Sequence, residues 1–268
     1  MDATKARLAR GYSQTAPFWD AMVGQQYLMG LYRLMPQVSL PPQPAILDIG
    51  CGTGINLFEA RRWFGPARLL CGIDLSPGMI EVARAKARKM GLPAQFVVGD
   101  AESLPYPDQV FDLIICNSVY HWFKDKDRAL AEMHRVLRPG GKLLLICAAA
   151  PGFKDYYNLL DTVLVRLFGS NGGRTMPELP TVEGIRRAMQ RNGFLVPYAG
   201  NPMQMQRIYQ PESFVRMMST VAPHWGADLP EDVRAFVEQA AASFMRTGWP
   251  DGFPNLWSTA EAIAIRRA

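Results

Sequence analysis

Three glycines at alternate positions, Gly50, Gly52 and Gly54, follow the apolar run Ala45-Ile46-Leu47-Asp48-Ile49. A strand that runs into such a loop and then opens a helix brings bare backbone close to a ligand, because a Cβ there would block the approach. Three acids accompany the loop. Asp48 lies two residues before Gly50, Asp74 lies 20 residues beyond Gly54, and Asp100 closes the apolar run Phe96-Val97-Val98-Gly99. An acid at the position of Asp74 suits the two hydroxyls of a ribose, and Asp100 could accept a hydrogen bond from an adenine amino group. In a dinucleotide loop of GxGxxG form the third glycine would fall at position 55, which is Ile55. Asp48 would repel a diphosphate and attract an ammonium or a sulfonium, although it could instead cap the following helix. Three acids around one glycine loop favour a cationic adenosyl ligand over NAD.

A proton-abstracting group is sought in Asn117-Ser118-Val119-Tyr120-His121-Trp122-Phe123, after the fourth apolar run. Such a segment opens at the C-terminal edge of a parallel sheet, where ligands sit. His121 is the candidate catalytic base, with stacking beside a cofactor or holding the loop as its alternative roles. His134 falls on an apolar helical stripe, and His224 lies between Pro223 and Trp225. Neither has a partner at HxxxH spacing, so no metal site is expected. Aromatic and Met side chains are dense in residues 1–40 and again after residue 150; Tyr27, Tyr120 and Trp225 are the candidate substrate contacts. Enough of these side chains occur outside the central strands to suggest an apolar or aromatic substrate.

These groups need a scaffold to position them, and from Pro44 to Ala148 short apolar runs alternate with amphipathic stretches, the pattern of βαβ units. Strands are predicted at 45–49, 69–73, 95–98, 111–116 and 142–147. Ser76 caps a predicted helix that opens with Pro77, and Asp125 caps another that ends in the turn Arg138-Pro139-Gly140-Gly141. Beyond Ala150 the reading is helix 153–168, helix 181–192 ended by Gly193, strand-like 195–198 and 203–208, helices 211–221 and 230–246, and an alternating stretch 257–267. The fold class expected is α/β, a Rossmann-like doubly wound, mostly parallel sheet with an antiparallel C-terminal strand and a helical cap. Residues 1–43 would form an N-terminal helical lid, 44–150 the cofactor-binding core, and 151–268 the cap insertions with the last strands of the same sheet. The rival reading of 1–43 is a segment packed on the outside of the sheet. A chain starting at Ala45 is expected to fold.

With 49% hydrophobic and 20% charged residues, the 268-residue chain is neither disordered nor fibrous. The longest apolar run, Leu143 to Ala150, is far shorter than the ~20 residues a membrane span requires, and the N-terminus has no secretory h-region. A cytoplasmic location follows. Cys51, Cys71, Cys116 and Cys147 lack CxxC spacing and read as buried reduced thiols. Net charge is +5; the one dense cluster, Arg84, Lys86, Arg88 and Lys89, reads as a solvated helix face, so no nucleic-acid partner is expected.

The segments ILDIGCGTG, GIDLSPGMI, VVGDAESLPYPDQVFDLIICN and RALAEMHRVLRPGGKLLL together resemble the class I S-adenosylmethionine-dependent methyltransferases. Within that group they are most similar to the small-molecule branch that includes the ubiquinone/menaquinone-biosynthesis enzymes. The resemblance implies S-adenosyl-L-methionine as cofactor and S-adenosyl-L-homocysteine as product. It implies that Gly50, Gly52 and Gly54 wrap the amino-acid part of the cofactor and that Asp74 holds the ribose. Leu75 and Met79 would flank the adenine, Asp100 and Ala101 would meet its edge, Asn117 would lie under the methionine portion, and Tyr12 would touch the cofactor from the lid. Residues 117–120 lack the Asn/Asp-Pro-Pro-aromatic sequence that accompanies amino-group methylation, and Cys116 sits ahead of the loop where a pyrimidine-methylating nucleophile would be needed. The expected activity is methyl transfer to oxygen or carbon of a small molecule, with a non-methylating cofactor-dependent enzyme such as a cyclase, or an RNA methyltransferase, as alternatives.

Overall fold

The computed structural model describes residues 2–152, 154–171, 178–221, 223 and 226–267. Its strands are β1 (Ala45–Ile49), β2 (Leu69–Asp74), β3 (Ala94–Val98), β4 (Phe111–Asn117), β5 (Leu137–Ala148), β6 (Phe194–Tyr209) and β7 (Phe253–Arg266). Among the described residues they form one seven-stranded sheet in the order β3-β2-β1-β4-β5-β7-β6. Neighbours from β3 to β5 pair in parallel, and β7 runs antiparallel to both β5 and β6. The strand order reverses between β1 and β4, and there the carboxyl ends of parallel strands leave a crevice.

The helices are α1 (Ala3–Thr15), α2 (Trp19–Leu34), α3 (Ile55–Phe64), α4 (Pro77–Lys89), α5 (Lys126–Val136), α6 (Lys154–Phe168), α7 (Val182–Arg191), α8 (Pro211–Val221) and α9 (Glu231–Gly248). Their starts follow the sequence signals. The Ser76 hydroxyl accepts from the Met79 N–H ahead of Pro77, Asp125 accepts from the Arg128 N–H, and Thr181 accepts from the Gly184 N–H. On one face of the sheet α2, α3 and α4 bury Leu31, Leu57 and Ile80 against Ile46, Leu113 and Leu144. On the other, α5 and α7 bury Leu130, Met133 and Met189 against Leu47, Ile114 and Leu143. Each such side chain contributes about 1.5 to 3 kcal/mol by leaving water. Helices α6, α8 and α9 close a third cluster around Phe214, Val237 and Phe253.

Two expectations change. Arg138-Pro139-Gly140-Gly141 does not turn the chain out of the sheet but lies within β5, where Leu137 already pairs with Phe111 and the register shifts before Leu113. Gly140 takes up the irregularity at φ +76°, so the turn-forming residues make a bulge. The two short strands predicted at 195–198 and 203–208 are a single strand, β6, because the long β7 carries the pairing past register shifts between Leu195 and Tyr198 and between Gly200 and Met203. Finally, Leu31, Leu34 and Met35 are fully buried against the sheet. A chain beginning at Ala45 would open that face to water. Among the described residues no helix is long and apolar enough to cross a membrane.

Candidate active site

The glycine loop hangs from β2. Gly50 and Cys51 donate their N–H groups to the Ile73 carbonyl at 2.8 and 3.1 Å, and the Gly54 N–H closes back on the Cys51 carbonyl at 2.8 Å. Gly50 has φ +65°, and a Cβ there would lie 2.6 Å from Val119. A Cβ on Gly52 would meet nothing nearer than the Met79 Sδ at 3.9 Å, so that residue faces the open cavity. Gly54 is a correction. It starts α3 at φ +83° and a Cβ would strike Phe58 at 2.9 Å, but it is absent from the cavity wall that Gly50 and Gly52 help to form. Close packing beneath the loop explains this glycine.

Asp74 ends β2 at the cavity wall. One of its oxygens accepts from the Gly52 N–H and the other from the Ser76 N–H, both at 2.9 Å. Burial pushes its carboxyl above the usual range and the two amides oppose that. Asp48 is the second correction. It sits in mid-strand, fully buried, outside the cavity wall, with neither oxygen in hydrogen-bond geometry with any group. Burial first, then the Asp74 charge, push its carboxyl well up, and the nearby Leu57 N–H only partly opposes them. Its side chain is turned towards α3, away from the wall that Gly50 and Gly52 form.

Asp100 and Ala101 reach the wall, and Asp100 is already engaged. The Lys5 ammonium of α1 lies 2.7 Å from Asp100 and 2.7 Å from Glu102. Burial lowers the affinity of Lys5 for its proton, yet the two carboxylates more than compensate. Leu75 and Met79 add apolar wall. Tyr12 of α1 meets Trp19 edge-on at 5.6 Å and Trp122 at 6.4 Å, and Trp19 lies 5.5 Å from Tyr27; all four rings line the cavity. The Asn117 amide donates to the Tyr27 carbonyl at 2.6 Å and to Asn56 at 3.0 Å, joining β4 to α2 and α3. His121 lies in a 3-10 turn, Tyr120–Trp122, at the wall, 8% exposed, with its ring 5.0 Å from Trp122.

Tyr120 is the third correction. Its ring is fully buried, edge-on to Phe123 in the core beneath α5, and does not reach the cavity. The 3-10 turn sends consecutive side chains in different directions, so His121 and Trp122 face inward where Tyr120 does not. Trp225 and His224 lie outside the described residues. His134 packs edge-on to Phe194 at 5.1 Å. The cysteines are free and buried; burial pushes their thiols up, Cys71 to about 11, which leaves them protonated and poorly nucleophilic. Sequence reasoning did not place Lys5, Trp122 or Arg33 at the cavity wall, and named Trp19 only among the aromatics of residues 1–43. The tryptophans stood in the aromatic-rich segments, whereas nothing marked Lys5 or Arg33 as other than surface charges.

An adenosyl cofactor fits this wall. Each Asp74 oxygen keeps lone pairs beyond the amide that it accepts, enough for a vicinal diol. Gly52 leaves room for close approach, and Leu75, Met79 and Ala101 offer an apolar bed for a flat base.

The chain matches the family model of a methyltransferase domain over residues 47–145. It is 35% identical over 188 residues to a malonyl-acyl-carrier-protein O-methyltransferase of Hahella chejuensis, an alignment covering 69% of this chain and 62% of that one. To a demethylmenaquinone methyltransferase of Thermus thermophilus it is 33% identical over 166 residues, 57% of this chain and 75% of the relative. The chain spans less than two thirds of the length of the malonyl-acyl-carrier-protein methyltransferases that it matches. Among solved structures the SpnF cyclase superposes with a TM-score of 0.66 at 21% identity, over 97% of this chain and 95% of the other, a likeness of fold.

Proposed function

The chain belongs to the class I S-adenosylmethionine-dependent methyltransferases, and on that premise we propose that it transfers a methyl group to oxygen or carbon of a small apolar or aromatic molecule. The observation that supports the choice of substrate is the ring cluster of Tyr12, Trp19, Tyr27 and Trp122, which lines the same cavity as Gly50 and Gly52. When bound, the cofactor supplies a methyl group already activated on a sulfonium. The protein's own task is then to align the acceptor, exclude water and take up a proton.

Alignment can lower the barrier by roughly 7 to 11 kcal/mol, whereas a positioned base adds about 100- to 10,000-fold. Asp74 would hold the ribose hydroxyls, with Gly50 and Gly52 beside the amino-acid part and Asn117 beneath it. Leu75, Met79 and Ala101 would bed the adenine, and Asp100 could meet its edge only by sharing its charge with Lys5. Tyr12 and its neighbouring rings would exclude water and face the cation, worth about 0.5 to 2 kcal/mol. His121 is the base in this reading, its ring set by Trp122.

Residues 1–43 act as a lid on the core of 44–150, with 151–268 as cap and last strands. The Ser13 hydroxyl lies 2.8 Å from that of Ser76, and a Cβ on Gly78 would lie 2.9 Å from the Ser13 backbone, so α1 rests directly on the start of α4. The same reading makes the enzyme cytoplasmic and independent of nucleic acid. Two cations of the basic cluster on α4 are already committed, Arg84 to the Phe96 carbonyl and Lys86 to Asp20.

Incubation with S-adenosylmethionine and a metabolite extract, followed by mass spectrometry, tests the proposal. S-adenosylhomocysteine should accumulate with a product heavier by one methylene and modified at oxygen or carbon. A product without S-adenosylhomocysteine, or activity abolished by nuclease treatment of the extract, would refute it. Asp74→Ala should weaken cofactor binding in a calorimetric titration by about 10- to 100-fold. His121→Phe should lower kcat by about 100-fold or more at unchanged cofactor affinity.

A further inference from the structure

Glu261 on β7 lies four strands across the sheet from Asp74 on β2, about 19 Å at the usual strand spacing. At that end of the cavity the wall comes from Gly30 and Arg33 of α2, Ile146 and Ala148 of β5, Met203 of β6 and Thr259 of β7. It is largely apolar, and Arg33 brings the charge. The guanidinium is paired. Its Nε donates to both oxygens of Glu261 at 3.1 and 3.2 Å, and its Nη2 pairs with Glu261 Oε1. Glu261 is 1% exposed, and α2 approaches it so closely that a Cβ on Gly30 would lie 3.0 Å from Oε1. The Nη1 of Arg33 has no partner among the described residues.

A planar guanidinium clamped from one side by a buried carboxylate is a preset donor on the other. We propose that Arg33 orients the acceptor by donating from Nη1 to one of its oxygens, and that the substrates are uncharged apolar or aromatic molecules bearing a carbonyl or phenolic oxygen. Glu261 already balances the positive charge, so the pair offers hydrogen bonds rather than net attraction for an anion. The inference rests on the methyltransferase reading above and narrows its substrate class.

Two probes of similar shape separate oxygen recognition from apolar burial: 1-naphthol and 1-methylnaphthalene, titrated against the full chain with tryptophan fluorescence as readout. The full chain should bind 1-naphthol roughly tenfold or more tightly than the hydrocarbon, as expected for one hydrogen bond to a charged donor. The double variant Arg33→Met/Glu261→Met removes both charges and orphans neither; it should bind the two probes within about twofold of each other while keeping its affinity for S-adenosylmethionine. Arg33→Lys retains the ion pair but not the fork and should lose most of the preference, which gives a second reading if the double variant fails to melt cooperatively. Equal binding of the two probes by the parent chain, or a preference undiminished in the folded double variant or in Arg33→Lys, would overturn the assignment. Absence of S-adenosylmethionine binding would instead refute the underlying reading, and the oxygen preference can be measured without the cofactor.

Discussion

At the loop end of the cavity much of the wall comes from two short stretches, Ile49 to Gly52 and Asp74 to Ser76, in which backbone amides, positive-φ glycines and one carboxylate hold one another. At the far end Arg33, Ile146, Met203 and Thr259 come from four separated segments and meet through side chains. Backbone shaping presents the same amides whatever the acceptor, so it suits a ligand common to a family. Side-chain shaping changes with each substitution, and the proposed role of Arg33 puts selectivity for the acceptor there.

The largest effect should come from a methyl group inside the loop. Gly50 and Gly140 both have positive φ, +65° and +76°, and in each an alanine costs about 1 to 2 kcal/mol for the left-handed backbone. Only at Gly50 would the Cβ also collide, 2.6 Å from Val119, whereas at Gly140 it meets nothing within 4 Å. Urea unfolding should show Gly50→Ala losing about 3 kcal/mol or more and Gly140→Ala about 1. Equal losses would mean that the loop is less tightly built than its contacts indicate.

A smaller effect of opposite sign is expected at Asp48. Burial and the Asp74 charge hold its carboxyl well above the usual range in the fold, while in the unfolded chain it ionises near pH 4. Above that pH the unfolded state gains and the folded state does not, so the cost grows as pH rises. Asp48→Asn should therefore stabilise the protein by about 1 to 3 kcal/mol at pH 7, the gain vanishing below about pH 4. S-adenosylmethionine affinity should stay within about twofold. Lost stability together with lost affinity would return Asp48 to the cofactor site.

The smallest effect concerns the anchor of α1 to the cap side. Burial raises the proton affinity of Asp228, but Arg7 and Arg10 outweigh it and hold the carboxyl below its usual range. Its contribution is present at neutral pH and is lost as pH falls through that lowered value. Hydrogen exchange should show α1 amides about two- to fivefold less protected in Asp228→Asn at pH 6, consistent with a partly exposed ion pair worth about 0.5 to 1 kcal/mol. A difference that persists at pH 2 would point to packing rather than charge.

The same contrast explains what could be read from the sequence. The loop end was legible because its parts are near in sequence: apolar strand, glycines, and acids at successive strand ends, each with a local stereochemical reason. Ser76 and Asp125 were legible as caps because a cap is a matter of three residues, whereas Thr181, read as the first helical residue, caps α7 instead. Asp48 stands beside the loop in sequence, yet strand alternation turns its side chain towards α3 and off the cavity wall. Tyr120 misled because a 3-10 turn has no simple periodicity. Arg33 and Lys5 could not be found at all: their meaning lies in Glu261 and in the Asp100–Glu102 pair, 228 and 95 to 97 residues away, and no periodic pattern links such partners.

The placement of β7 between β5 and β6 has a consequence during synthesis. β6 leaves the ribosome before α8, α9 and β7 exist, yet its ladder in the finished sheet is with β7. Until β7 arrives, β6 is a long strand with both edges unpaired, the kind of segment that joins other chains. β7 also carries Glu261, so its insertion both relieves that hazard and fixes Arg33. A nascent chain stalled ahead of Phe253 would already contain the whole glycine loop, while exposing an unpaired strand edge and leaving Arg33 without the carboxylate that clamps it.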